Sequence, residues 1–322
     1  MPIAAAQTIF WQQRRFGGIG RRARLKIEFL VSVGSIPTAA TSLFPESNQR
    51  SMSTPRSIGI IAGSGIYPET FVRAARKAEP NTRLVVVGFE NETRADLEAQ
   101  VEAFRWVRVG QLSKLIKFLV SEGVTEAVMM GQISPKNLFD LRPDIRILMM
   151  LAKVKKRNAE TLFGAIAEEL AKDGISLLPA TTFLEDHLPS AGHVIGPIIK
   201  PRTLEDLEYG FDIAKKTSAL DIGQSVVVRH GTVLAVEAFE GTNACIRRGG
   251  ELGRNKDSVL VKVSKPNQDF RFDVPVIGPQ TIENCAEAGI IAIGIEAGKT
   301  LLLEKEKVTQ LCTQHKICIH AL

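Results

Sequence analysis

From residue 57 onward the chain alternates short apolar runs with amphipathic stretches, and few folds accommodate that rhythm. Residues 57–63 (SIGIIAG) read as a strand, 68–78 as a helix and 83–89 (RLVVVGF) as a second strand. Residues 93–103 read as helical, and 105–110 (RWVRVG) as a third strand. In 112–121, Leu112, Leu115, Ile116 and Leu119 fall at i, i+3, i+4 and i+7, one face of a helix. EAVMMGQI (126–133) is a fourth strand, 158–172 a helix opening on an Asn158 cap, and ISLLPAT (175–181) a fifth strand. Alternation of this kind predicts an α/β fold with a parallel sheet covered on both faces.

At 322 residues the chain is long enough for two domains. Residues 184–202 contain three prolines (Pro189, Pro197, Pro201) and little periodicity, and read as a linker. A helix is expected over 204–218, then a hairpin turning at His230-Gly231, strands at 259–264 and 269–277, a helix at 281–288, strands at 289–298 and 300–303, and a helix at 305–314. The expected layout is a leader (1–56), a Rossmann-like N-terminal domain (57–183), the linker, and a C-terminal α+β catalytic domain (203–322).

The net charge of +6 misleads, because residues 1–51 hold seven Lys/Arg and two acids, while the remaining 271 hold 34 basic and 33 acidic residues. The body of the chain is therefore no nucleic-acid binder on charge grounds. No apolar run is long enough to span a membrane. The leader is Arg-rich and acid-poor like a transit peptide, but Met52 precedes the folded-looking sequence, so 1–56 is read as a disordered leader or an over-extended start. Cys245, Cys285, Cys312 and Cys318 have no CxxC spacing. Reduced cytosolic thiols are expected, ahead of a Cys312–Cys318 bridge.

Chemistry concentrates in two places. Gly63-Ser64-Gly65 follows the first strand and opens a helix, where glycines and N–H donors suit an anionic ligand. The third glycine of a dinucleotide fingerprint is missing, since position 68 is Pro. Gly131-Gln132-Ile133-Ser134-Pro135-Lys136 follows the fourth strand, and Gln132 and Lys136 there suit a polar ligand as well as a plain loop. The richer region is 221–279, where charge interrupts strand-forming sequence, which is costly unless paired or metal-bound. Glu237 reads equally as a structural ion-pair partner or a functional carboxylate. Glu240, Thr242 and Asn243 are hard oxygen donors of the type Mg2+ accepts, and Arg247 and Arg248 suit phosphate. If 269–277 is a strand, Asp269, Arg271 and Asp273 share one face, with Phe270 and Phe272 on the other; Lys262 and Lys265 lie just upstream. No HxH, HExxH, GxSxG or P-loop occurs.

With those residues in hand, the chain resembles the two-domain LpxI class of UDP-2,3-diacylglucosamine pyrophosphatases of lipid A biosynthesis. The resembling segments include IGIIAGSGIYP, GQIS, LDIGQSVVV, VLAVEAFEGTNACIRRGG, VLVKVSKPNQDFRFDVPVIGPQTIENCAEAG and IEAGKTLLLE, and run from residue 58 to about 303. The resemblance implies Mg2+-assisted hydrolysis of UDP-2,3-diacylglucosamine, water attacking the α-phosphorus to give UMP and 2,3-diacylglucosamine 1-phosphate. It also implies a lipid substrate held between the domains, a homodimer, and a cytoplasmic protein in peripheral contact with the inner membrane. The family's KP-x-Q-D-x-R-x-D-x-P pattern falls on Lys265, Pro266, Gln268, Asp269, Arg271, Asp273 and Pro275. The resemblance therefore places catalysis on Asp269, Asp273 and Glu240, and the metal on Asp269, Asp273, Glu240 and Asn243. Substrate contacts would come from Gly63, Ser64, Gly65, Gln132, Gln224, Thr242, Arg247, Lys262, Lys265 and Arg271. Two positions depart from the family: Asn243 replaces a common Asp and cannot act as a base, and Gln132 stands where a Lys is frequent. The rival readings are a non-catalytic nucleotide-sugar or lipid-binding protein and a nicotinamide-dependent oxidoreductase.

Overall fold

The computed structural model describes residues 56–133, 143–154 and 159–322. These fall within one compact unit, Ser53–Leu322. The expectations for the leader up to residue 55, for Ser134–Lys136 and for the Asn158 cap lie outside the described residues.

The first half is the expected parallel sheet. Strands β1 (Ser57–Ala62), β2 (Arg83–Phe89), β3 (Ala103–Val107), β4 (Glu126–Met130) and β5 (Ser176–Leu177) pair in the order β3-β2-β1-β4-β5, all parallel. Helices α1 (Tyr67–Ala78), α2 (Leu112–Ser121), α3 (Ile145–Lys153) and α4 (Ala159–Lys172) supply the crossovers. Apolar residues fill both faces of the central strands: Ile58 and Ile60 pack with Phe71, and Ile61 and Val85 with Leu115 and Leu119. Two elements are shorter than the sequence suggests. Residues 93–103 form only a 3-10 helix, Ala95–Gln100, before entering β3. The fifth strand is two residues long, and Pro179 supplies no N–H to extend it.

The second half is a mixed sheet in the order β6-β13-β11-β9-β7-β8. Its strands are β6 (Gly192–Ile195), β7 (Ser225–Arg229), β8 (Thr232–Val236), β9 (Ser258–Lys262), β11 (Ile290–Ile295) and β13 (Cys318–Ala321). Strands β9, β11 and β13 run parallel, while β7 is antiparallel to β8 and β9, and β6 to β13. Strand β6 comes from the stretch read as a linker. Helix α5 (Pro201–Ala219) covers one face through Leu207 and Ala214 against Val226, Val228, Val259 and Val261. Helices α6 (Thr242–Leu252), α7 (Pro279–Glu287) and α8 (Lys305–His315) cover the other through Ile246, Ile282 and Val308 against Val227, Leu260 and Ile293. The hairpin turns where expected, with His230 (φ 50°) and Gly231 (φ 73°) left-handed. Buried Asp206 accepts both their N–H groups, at 2.8 and 2.6 Å. All four cysteines are buried free thiols.

One expectation is overturned. Residues 269–277 are not a strand: the N–H groups of Phe272 and Asp273 both donate to the carbonyl of Asp269, at 3.2 and 3.0 Å, folding the segment into turns. Only β10 (Val276–Ile277) pairs, in parallel with β12 (Leu301–Leu302). Pro275 denies the ladder a donor, and contacts with the first half hold the turn instead. Phe272 packs on Phe163 of α4 at 5.6 Å between ring centroids, and Ala180 donates its N–H to Phe270 at 2.8 Å. Val274, Val276, Leu301 and Leu303 join the core around β1 and Phe71. Asp269, Arg271 and Asp273 therefore share no strand face; they ride on a loop wedged between the two sheets.

Candidate active site

Sheet register assembles the site. Glu237 follows β8 and donates its N–H to Ser225 of β7 at 2.8 Å; Ser225 pairs with Lys262 at the end of β9. Val263 donates to Gln224 at 3.0 Å, which keeps Gln224 beside the exit of β9. Three strand ends thus deliver Glu237, Gln224 and Lys262 side by side. Gly223 is required there, since a Cβ on it would lie 2.0 Å from the carbonyl oxygen of Glu237.

The loop adds Asp273 and Lys265. Asp273 lies beside Gln224 and in the field of Lys265 and Lys262. Burial pushes its pKa up despite these, with Glu160 of α4 adding repulsion. Lys262 is pushed the opposite way, down, by burial, while Glu237 and Asp273 support its charge. Its ammonium also donates to the Val276 carbonyl at 3.3 Å. Lys265 forms an ion pair with Asp221. Gln268 closes the loop, accepting from Lys265 N–H at 2.6 Å and donating to the Asp273 carbonyl at 2.9 Å.

The other expected site residues are engaged elsewhere. Asp269 is clamped by Arg271, whose Nε and Nη2 donate to its two oxygens at 2.9 and 2.6 Å. That hydrogen-bonded guanidinium holds the Asp269 pKa down. Glu240 is exposed; it accepts from Arg248 at 2.5 Å and from Ala238 N–H at 3.1 Å. Arg247 and Asn243 are exposed on α6. Thr242 turns inward, donating to Glu237 Oε1 at 2.9 Å with Ser225 Oγ 3.4 Å away. Ser64 and Gln132 meet each other where the sheet order reverses between β1 and β4, the usual ligand crevice of such sheets. Ser64 N–H and Oγ donate to the Gln132 carbonyl at 2.7 and 2.8 Å. A Cβ on Gly63 would lie 2.5 Å from that same oxygen, which fixes glycine there; Gly65, with φ 91°, uses the freedom of glycine instead.

The four residues assigned to Mg2+ do not converge. Among the described residues no group of three His, Cys, Asp or Glu side chains is arranged to hold a metal. Asp269 and Glu240 are neutralised by guanidinium partners instead. The residue that fits Mg2+ chemistry is Glu237. Glu237 Oε2 is buried without a hydrogen-bond partner, and Mg2+ commonly takes one or two carboxylates plus substrate phosphates.

Sequence reasoning missed Glu296, which holds the start of the loop. It accepts from Ser264 N–H and Oγ and pairs with Lys215 and Lys299. The signal was a lone carboxylate ending the apolar run GIIAIGIE, the same kind that drew attention to Glu237.

Comparison with known proteins agrees with this architecture. A family model of the LpxI N-terminal domain matches residues 57–187, and one of the LpxI C-terminal domain matches residues 190–320. The chain belongs to the LpxI family. A relative from Caulobacter vibrioides, named UDP-2,3-diacylglucosamine pyrophosphatase LpxI, is 32% identical over 263 residues, covering 79% of this chain and 92% of its own length. Two solved structures, N5-carboxyaminoimidazole ribonucleotide synthetase from Thermotoga maritima and N5-carboxyaminoimidazole synthetase from Staphylococcus aureus, align with 13% and 11% identity and TM-scores of 0.23 and 0.22. They cover 58% and 69% of this chain, which spans 42% and 48% of theirs; scores so low carry no inference.

Proposed function

We propose that this chain hydrolyses the diphosphate of UDP-2,3-diacylglucosamine to UMP and 2,3-diacylglucosamine 1-phosphate, with its chemistry in the C-terminal half. The observation that carries the reading is the half-buried Asp273 carboxylate set beside two lysines, Lys262 and Lys265, on a loop between the two sheets. Membership of the LpxI family supports it.

A diphosphate resists hydrolysis because its oxygens repel a nucleophile. Lys262 and Lys265 draw that charge, and burial of Lys262 strengthens the effect. Asp273 orients a water and accepts its proton as oxygen bonds to the α-phosphorus and the bridging P–O bond breaks. The lipid phosphate leaves with the bond's electron pair. Asp269 keeps Arg271 aimed by a two-bonded clamp. Mg2+, when held by Glu237 together with the substrate's phosphate oxygens, would supply further neutralisation of the diphosphate and leave Asp273 free as the base. The homodimer and the peripheral contact with the inner membrane belong to the same proposal. So does a cytoplasmic location; among the described residues no helix is long and apolar enough to cross a membrane.

Purified protein is expected to release UMP from the substrate with Mg2+ present, and Asp273→Asn to release none. In 18O-labelled water, label entering UMP marks attack at the α-phosphorus, and label entering the lipid phosphate marks attack at the β-phosphorus. Tight binding without turnover would sink the enzyme reading and leave a lipid-binding protein, which Asn243 favours by removing a carboxylate.

A further inference from the structure

Helix α3 is apolar on two faces, and only one of them is covered. Ile147 and Met150 enter the core beneath it with Leu115 and Leu170. On the opposite side Ile145, Leu148 and Met149 are 67%, 49% and 55% exposed, and Ala152 is exposed as well. These positions are i, i+3, i+4 and i+7, a continuous outward stripe. The helix is firmly seated. Asp144 caps it by accepting from Ile147 N–H at 3.0 Å and ties it to α2 by accepting from Ser113 N–H at 2.6 Å. Arg146 anchors it to α4 through Glu169 at 2.7 Å. An apolar stripe held rigidly at the surface marks a contact site.

Charge selects the partner. The sequence from 142 to 157 carries six Arg/Lys against one acid, Asp144. Arg146 is spent on Glu169 and Asp173, but Lys153 is exposed at the end of the helix. An apolar stripe flanked by basic residues is the pattern of helices that lie in the surface of an anionic bilayer. A second copy of this chain would have to accommodate the same excess of positive charge across a symmetric contact. We propose that the outer face of α3, through Ile145, Leu148, Met149 and Lys153, docks this protein on an anionic lipid bilayer. The docking has a use under the lipid-substrate reading above, because α3 shares its core with Phe272, one residue before Asp273. Acyl chains drawn from the bilayer would then enter next to the site.

The test uses vesicles without substrate, so it stands or falls separately from UMP release. The full chain is expected to co-sediment with phosphatidylethanolamine–phosphatidylglycerol vesicles and far less with phosphatidylcholine vesicles. Ile145→Ser/Leu148→Ser/Met149→Ser should lower the partition coefficient at least about tenfold. Lys153→Glu should lower it about fivefold on anionic vesicles only. All four native cysteines are buried, so an environment-sensitive dye on Met149→Cys reports the stripe alone and should shift to the blue on binding; this readout does not depend on the triple variant folding. No binding by the parent, no dye shift, or unchanged binding by the folded triple variant overturns the proposal. Loss of a dimer in the triple variant with vesicle binding intact would overturn it too, and assign the stripe to a second copy.

Discussion

Ser264 gives both its backbone N–H and its hydroxyl to one oxygen, Glu296 Oε2, at 2.9 and 2.6 Å. Lys215 approaches both carboxylate oxygens at 3.1 Å and Lys299 reaches Oε1 at 2.7 Å. Burial alone would raise the Glu296 pKa; bonds from Lys299, Ser264 and Lys215 outweigh it and hold the pKa at about 2. Ser264 sits between Lys262 and Lys265, so this carboxylate fixes the point where the last sheet residue of the site hands over to the loop.

Glu296→Gln should therefore cost about 1.5–3 kcal/mol, the range for hydrogen bonds to a charged group, read as a lower midpoint in urea. The folded pKa lies below that of an unfolded glutamate, about 4.3. Its stabilisation is complete above that value and is lost as pH falls toward about 2. The gap between parent and variant should accordingly shrink on acidification. A constant gap across that window would mean that the charge contributes nothing.

Asp273 has the opposite sign. Burial raises its folded pKa, so any stability linked to it is present below the unfolded pKa, about 3.9, and lost as pH rises through the folded value. Wherever it is ionised, the buried carboxylate weakens the fold. Asp273→Asn should abolish UMP release while raising the melting temperature by a few degrees. A variant both inactive and unstable would show Asp273 to be a structural residue instead.

The same two directions shape the pH profile. Activity needs Asp273 ionised and Lys262 protonated. Asp273 titrates above the ordinary aspartate range, and Lys262 below the ordinary lysine range, both through burial. kcat/KM should follow a bell narrower than free side chains would give. Lys262→Arg should remove the alkaline limb, because a guanidinium does not titrate there. An alkaline limb left in place would assign it to another group.

The two-sheet plan was legible because periodicity and apolar runs are local signals: β1, β2, β4, α2 and the His230-Gly231 hairpin lie where they were expected. The loop at 269–277 was misread because its sequence alternates like a strand. Its conformation depends on partners far along the chain, Phe163 and Ala180, which no window of residues contains. The site was legible in part. Lys262, Lys265, Gln224 and Asp273 do meet, but Glu240 and Asp269 answer to nearby guanidiniums. Residue type leaves the role of Glu237 open, and its position is set by the bond of its N–H to Ser225 across the strand pair.

Asn243 gives the last prediction. It is exposed in the first turn of α6, whose preceding Gly241 is left-handed at φ 81°. Asn243→Asp would place a negative charge at a helix N-terminus, worth about 0.3–1 kcal/mol of added stability. Asn243 is not among the groups that shift the Asp273 or Lys262 pKa. If the base is Asp273, restoring the carboxylate at 243 should change kcat by less than about threefold, under ~0.7 kcal/mol in barrier. A rise of more than about tenfold, with a new acid limb in the pH profile, would move the base to position 243 and show the native chain to be a weakened enzyme.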